Sequence, residues 1–401
     1  MSTQRFSIND IQLGMFVTQV TRQTGELTIK TQGLIKSERL LEQLRQKGVQ
    51  EVEVDLARSV LEQGLELNVS EQTTESPKAI SASPANEDPM AAIEQAGQLY
   101  DKARTIQSRF VKKLKKGALP PIGELTEVSA DIIDSVFDNA DAISLLTQIK
   151  DREQYLMEHS LNCSILMAMF ARQMGFDKAT IDELGLAGLL MDAGMATLPE
   201  DILNQRGKLS DQERTIVESH VDVAVDLLEQ SEHASDTVLD VVQNHHERLD
   251  GSGYPNGKQG DEISVYARMA AIVDSYDALT ADRPYRKSLN ATQALKRLLS
   301  TSQGQLDQSL VQQFIRCIGV HPVGSLVKLK SEKLAIVIKA NKDDPLKPKV
   351  ASFYSVRSGH YKDVRILDLT RDQDDIEACV RPEEFKINLA RFFREVLLGR
   401  L

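Results

Sequence analysis

An eleven-residue string near the middle of the chain constrains the fold more than any bulk property: His245-His246-Glu247-Arg248-Leu249-Asp250-Gly251-Ser252-Gly253-Tyr254-Pro255. Two adjacent imidazoles run directly into a glycine-rich turn. Gly251 and Gly253 permit backbone angles closed to other residues, and Pro255 fixes the exit. A turn built this way is a tight loop that can hold Tyr254 and its own backbone against a ligand. A lone histidine is usually an ordinary polar residue satisfied by a hydrogen bond. That bland reading fits His233, His321 and His360, but not a His-His pair that opens such a loop.

The chain has only seven histidines, and four of them, His159, His220, His245 and His246, fall within one helical region together with Asp192 and Asp274. That region, residues 122–320, is dominated by helical periodicity, as in Leu156 to Phe170, Ile181 to Leu190 and Val221 to Leu228. Imidazole nitrogen with carboxylate oxygen is the donor mixture expected for zinc or a borderline metal such as iron, with manganese also accessible. A carboxylate can also bridge two metals, one on each oxygen.

The rest of the chain frames this region. Residues 1–68 read as a small α+β unit, with strands at Met15 to Val20, Leu27 to Ile29 and Val49 to Val54, and a helix over Ser37 to Lys47 stopped by Gly48. Residues 69–89 have the Ser, Thr, Glu, Pro and Ala composition of a linker. A connecting helix occupies 90–122, ending in Lys112, Lys113, Lys115 and Lys116, which read as a solvated helix end before Pro120-Pro121. After the helical domain at 123–320, residues 321–401 read as a β-rich extension. It has strands at Ser325 to Leu329, Leu334 to Ile338 and Val350 to Tyr354, then a terminal helix over Glu383 to Leu398. The chain is therefore expected to be mainly α, with small mixed and β-rich units at its two ends.

A net charge of -11 argues against nucleic acid polymers and anionic membrane surfaces, but not against a small anion at a local metal centre. Three widely spaced cysteines, Cys163, Cys317 and Cys379, suggest neither a disulfide framework nor a cysteine zinc site. Met1 to Asp10 lack the apolar core of a signal peptide, and no apolar run reaches the roughly 18 residues needed to span a bilayer. The cytoplasm is the expected location.

The string from His245 to Pro255 resembles the signature of the HD-GYP family. Asp274 to Arg286 (D-S-Y-D-A-L-T-A-D-R-P-Y-R) is similar to the segment that follows it in that family. The resemblance is strongest over residues 151–318. Gly14-Met15-Phe16-Val17 is similar, more weakly, to a domain of unknown function that often precedes HD-GYP, and Gly324 to Val327 to the extension these proteins often carry. The resemblance implies an HD-superfamily helical bundle. It implies two, sometimes three, metal ions, typically iron or manganese, and hydrolysis of cyclic di-GMP to linear pGpG or GMP by an activated water. The matching ligand positions are His159, Asp192, His220, His245, His246 and Asp274, with Asp192 as the bridging, catalytic carboxylate. Gly253, Tyr254 and Pro255 would border the substrate, and Arg283 and Arg286 would meet its phosphate.

The sequence departs from the family at the second ligand helix. Where the family has H-D-x-G-K, this chain has Met191-Asp192-Ala193-Gly194-Met195. A metal-binding imidazole and a phosphate-facing lysine are both missing. The register is held by Leu198-Pro199 and Asp201-Ile202-Leu203, similar to the family's run beyond the motif. Tyr155 stands where three-metal members carry Glu, and Val221 stands in place of the usual Pro after His220. Met thioether is a soft, neutral ligand, poorly matched to iron(II) or manganese(II). The expectation is one tight metal on Asp192, His220, His245 and His246, and a weak second site on His159, Asp192 and Asp274. Three functions stay open: a slow or lost cyclic di-GMP phosphodiesterase, a non-catalytic sensor or interaction module for signalling partners, and a phosphodiesterase for 3',3'-cyclic GMP-AMP. A homodimer is left open as well.

Overall fold

The computed structural model describes residues 3–8, 11, 15–23, 33–34, 49–55, 89–118, 120–147, 155–203, 205, 207–230, 234–281, 287–301, 304–341 and 343–392. The chain divides into two compact units, Met1–Ser81 and Ala82–Leu401.

In the first unit, β1 (Thr3–Ser7), β2 (Phe16–Gln23), β3 (Gly33–Leu34) and β4 (Val49–Asp55) form a sheet in the order β1-β4-β2-β3. All its pairings are antiparallel. Val49, Val52 and Val54 of β4 pack with Ile8, Ile11, Met15 and Val17 in a core of its own. The strand expected at Leu27 to Ile29, the helix over Ser37 to Lys47 and nearly all of the linker lie outside the described residues.

The second unit is built on helices α1 (Pro89–Leu114), α2 (Gly123–Leu146), α3 (Tyr155–Gln173), α4 (Lys178–Leu190), α5 (Glu200–Leu203), α6 (Asp211–Glu218), α7 (His220–Glu229), α8 (Asp236–Asn244), α9 (Val265–Thr280), α10 (Ala291–Thr301) and α11 (Gln308–Ile318). Local chemistry fixes several starts. Asp177 accepts from Thr180 N at 2.8 Å ahead of α4, Ser210 and Glu213 form a reciprocal box ahead of α6, and Ser264 accepts from Ala267 N at 3.1 Å ahead of α9. Helix α4 buries Ile181, Leu184, Leu186, Leu189 and Leu190, and its apolar faces suit a central position against α3.

Two boundaries are softer in the structure than in the sequence. The connecting helix is a member of the bundle, because Ile93, Ala96, Tyr100, Ala103, Phe110 and Leu114 recur at helical spacing and bury into the main core. The C-terminal strands are β5 (Leu326–Leu329), β6 (Lys333–Lys339), β7 (Lys349–Ser355), β8 (His360–Asp368) and β9 (Ile376–Cys379). Their sheet, in the order β8-β7-β6-β5-β9, shares that core through Leu326, Val327, Leu334 to Ile338, Val350 and Phe353.

The expected terminal helix over Glu383 to Leu398 needs correction. Pro382–Phe385 form a single 3-10 turn, Lys386 takes left-handed backbone angles, and α12 (Leu389–Phe392) is a new start. A left-handed residue cannot continue a right-handed helix, so the helical ladder breaks there. Residues 393–401 lie outside the described set.

Candidate metal centre

Five chain segments converge to build the site. Met191 closes the last turn of α4, its N–H donating to Ala187 O at 2.8 Å, and its side chain is fully buried in the core. Asp192 follows and opens the 3-10 turn Ala193–Thr197, in which Met195 is half-buried. That turn lies hard against α7: a Cβ on Gly194 would sit 2.0 Å from His220 O. Only glycine allows the approach that carries the Asp192 carboxylate to His220. Gly194→Ala is expected to destabilise the fold by about 3 kcal/mol, the upper end of overpacking costs, and to lower metal content with it. Denaturant unfolding checks this, and parent-like stability would mean the turn has slack.

His245 caps the end of α8, and the loop from Arg248 to Pro255 folds back on His246, whose carbonyl accepts from Tyr254 N at 3.3 Å. A Cβ on Gly253 would sit 2.4 Å from Arg248 N, so the loop closes only on a bare backbone. Tyr254 stacks on His246, ring centroids 4.6 Å apart, and the Tyr254–Pro255 peptide is cis. Burial pushes the Tyr254 phenol above its ordinary pKa, so it stays a neutral hydroxyl. Glu247, buried within the loop, accepts from Asn256 N at 2.8 Å and Lys258 N at 3.0 Å. Sequence reasoning quoted Glu247 without giving it this role.

Around Asp192 the geometry divides by oxygen. Oδ1 lies 3.3 Å from His220 Nε2 and 3.9 Å from His245 Nε2, while Oδ2 lies 3.0 Å from His159 Nε2. His159 Nε2 is also 3.2 Å from Asp274 Oδ1, and His246 Nδ1 is 3.7 Å from Asp274 Oδ2. Two overlapping groups result, Asp192-His220-His245-His246 and His159-Asp192-Asp274, each with ligand atoms close enough to share one ion. Burial alone would raise the Asp192 carboxyl, but the imidazoles of His159 and His220 against it hold it well below the usual carboxylate range. Burial, together with neighbouring His245, keeps His246 neutral.

The tautomers fit a metal. His220 Nδ1 lies 2.6 Å from Val217 O and His245 Nδ1 lies 2.8 Å from Val242 O. A carbonyl only accepts, so each Nδ1 carries a proton and Nε2 is the nitrogen left to ligate. Burial keeps His245 neutral, while at His220 Asp192 outweighs burial, raises the pKa and favours a proton on Nε2 that a bound cation would displace. Both Nε2 atoms are buried without an aligned hydrogen-bond partner, facing an ionised carboxylate. A lone pair aimed at a carboxylate is a poor arrangement by itself and a good one around a cation.

His159 is oriented by a residue the sequence reading passed over. Its Nδ1 donates to Asp277 Oδ2 at 2.7 Å, and Asp277 Oδ1 accepts from Asn162 Nδ2 at 3.0 Å. Asn162 Oδ1 in turn accepts from Tyr100 OH at 3.2 Å, tying α1, α3 and α9 together. The available signal was position: Asp274 and Asp277 are one turn apart on α9. Asp277→Asn is expected to weaken metal binding on the His159 side about 10- to 100-fold. Metal titration reads this, and an unchanged affinity would reduce Asp277 to packing.

The remaining expected residues are placed or lie outside. Arg283, Arg286 and His233 are outside the described residues, as is the Tyr155 side chain. His321 pairs with Cys379 Sγ at 3.4 Å and His360 with Ser358 O, both apart from the cluster. Among the described residues, no helix is long and apolar enough to cross a membrane.

Comparison with known proteins gives the arrangement a family. Residues 144–310 match the model described as HD domain, and residues 3–125 match Domain of unknown function (DUF3391). A cyclic di-GMP phosphodiesterase of Pseudomonas aeruginosa is 32% identical over 377 residues, covering 92% of this chain and 89% of that protein. This chain belongs to the HD-GYP family. A 3'3'-cGAMP-specific phosphodiesterase of Vibrio cholerae is 33% identical over 176 residues, 44% of this chain and 41% of that one. Among solved structures, the HDG"Y"P protein Bd1817 of Bdellovibrio bacteriovorus aligns with a TM-score of 0.45 at 14% identity, covering 78% of this chain and 98% of it. The HD-GYP fold here is metal-dependent by family, and the His-Asp cluster is where a metal would be held.

Proposed function

We propose that this chain binds and hydrolyses a cyclic dinucleotide at the His-Asp cluster, cyclic di-GMP giving linear pGpG or GMP, at a rate held down by Met191 and Met195. The observation that supports this most is the division of Asp192, whose Oδ1 faces His220 and His245 while Oδ2 faces His159. A carboxylate shared in this way suits a two-metal phosphodiester site. A divalent transition metal there, iron or manganese, would supply Lewis-acid charge at the phosphodiester and lower the pKa of a water so that it could attack as hydroxide. The protein's part is to hold His220 and His245 in the Nδ1–H tautomer, to orient His159 through Asp277, and to border the substrate with Gly253, Tyr254 and Pro255. Arg283 and Arg286 are proposed to meet phosphate. The first site is expected to be tight and the second weak.

The similarity to a cyclic di-GMP phosphodiesterase along most of the chain favours that substrate. The shorter similarity to a 3'3'-cGAMP-specific enzyme keeps 3',3'-cyclic GMP-AMP as the alternative. Met191 and Met195 favour a second reading, a non-catalytic sensor that binds the nucleotide or a signalling partner. Domain roles follow the proposed division: an N-terminal unit at 1–68, a linker at 69–89, the catalytic bundle at 123–320 and the extension at 321–401, acting in the cytoplasm. Elemental analysis of the purified protein combined with cyclic di-GMP turnover tests the proposal. Metal with slow product formation supports it, bound nucleotide with no product supports the sensor, and neither metal nor nucleotide binding removes both.

A further inference from the structure

The described residues of the second unit leave a cavity of about 520 Å³ beside the metal-ligand cluster, and the helical bundle supplies only part of its wall. The volume is in the range of small-molecule sites. On the bundle side the cavity is lined by His159 and Asp277; of the six candidate ligands it touches His159 alone. On the other side it is lined by the C-terminal extension, with Arg381 and Lys386 as its cations, and Glu383 and, from the bundle, Glu158 as acids beside them.

The extension is fixed in place there. Asn290 Nδ2 donates to Cys379 O at 3.0 Å, and Thr292 Oγ1 lies 3.1 Å from Cys379 Sγ. Ile387 is buried in the main core, and Phe392 stacks on Phe353 with centroids 4.0 Å apart. Between these anchors Lys386 adopts φ 57°, one of two non-glycine residues with positive φ among the described residues. L-residues enter that state rarely, and such outliers gather at ligand sites. Lys386 has no ion-pair partner among the described residues, and the Arg381–Glu384 pair at 3.3 Å is solvent-exposed, so neither cation is spent on a buried partner.

We propose that the C-terminal extension completes the ligand cavity of this chain, with Arg381 and Lys386 holding the distal phosphate of a cyclic dinucleotide whose other phosphate lies at the His-Asp cluster. This rests on the cyclic-dinucleotide reading above. A ring with two phosphodiesters needs charge at two places, and the cluster, with the phosphate contacts proposed for Arg283 and Arg286, serves one of them. Arginine and lysine on a fixed wall supply it at the other.

The test is calorimetric titration of the metal-loaded full chain with a slowly hydrolysed phosphorothioate analogue of cyclic di-GMP. Arg381→Ala with Lys386→Ala is expected to weaken binding by about 10-fold per cation and to flatten its salt dependence. Metal content and thermal midpoint should match the parent. The conservative pair Arg381→Lys with Lys386→Arg should recover most of the affinity, and Arg365→Ala, on exposed strand β8, should leave it unchanged. Parent-like binding by the double alanine variant overturns the inference while leaving the cyclic-dinucleotide reading intact. Loss of binding together with loss of metal also overturns it, since the change then acts through the cluster. A metal-loaded parent that binds no analogue removes the cyclic-dinucleotide reading itself, and the inference with it.

Discussion

Replacing Met191 by His and Met195 by Lys together is expected to raise metal content from about one to about two ions per chain and phosphodiesterase turnover by on the order of 100-fold. Every other ligand position is filled, and two of the three groups around the weaker site, His159 and Asp274, already lie within 3.2 Å of each other. Position 191 adjoins Asp192 and is held by the last hydrogen bond of α4, so a new imidazole there would be carried on a fixed backbone. Met191 is also fully buried. A histidine in its place would be an unsatisfied polar group until a metal took its lone pair. The double variant should therefore gain more thermal stability from added metal than the parent does. If it binds no more metal than the parent and turns over no faster, the defect does not lie at these two positions.

The second large effect is an asymmetry between two histidines. His246→Ala should abolish tight metal binding, whereas His159→Ala should leave most of it. The reason is ligand arithmetic on the observed groups: Asp192, His220, His245 and His246 on one side, His159, Asp192 and Asp274 on the other. His246 also carries the stacked Tyr254 ring, so its loss should loosen the signature loop as well. Elemental analysis of both variants decides. Equal loss in the two would mean that the sites depend on each other, and two ions in the parent would mean that Met191 costs little.

How much of this was readable in advance follows from what each residue is surrounded by. The six candidate ligands were legible because imidazoles and carboxylates are rare in apolar helical stretches, and their side chains fall into two overlapping groups that share Asp192. Asp277 was not, because an acid one turn beyond another on a helix looks like solvated surface until the partner from α3 is in place. Strands β5, β6 and β7 announced themselves as apolar runs, since β6 is buried along Leu334 to Ile338. Strands β8 and β9 did not. They are the two edges of the sheet and are largely exposed, so no apolar pattern marks them. The terminal helix was overextended because its periodicity carries no sign that Lys386 would turn left-handed.

The shared core of bundle and extension sets a timetable for synthesis. Helix α2 packs against strand β6, and Ala340 N reaches Asp141 Oδ1 at 3.4 Å across 199 positions of chain. At about 5–20 residues per second on the ribosome, α2 waits on the order of 10–40 s for that neighbour to emerge. During that interval the side of the helix destined for the sheet has nothing to cover it. The nascent chain thus carries an apolar face through about half of its translation, and it is this waiting surface, more than the finished protein, that holdase chaperones would meet.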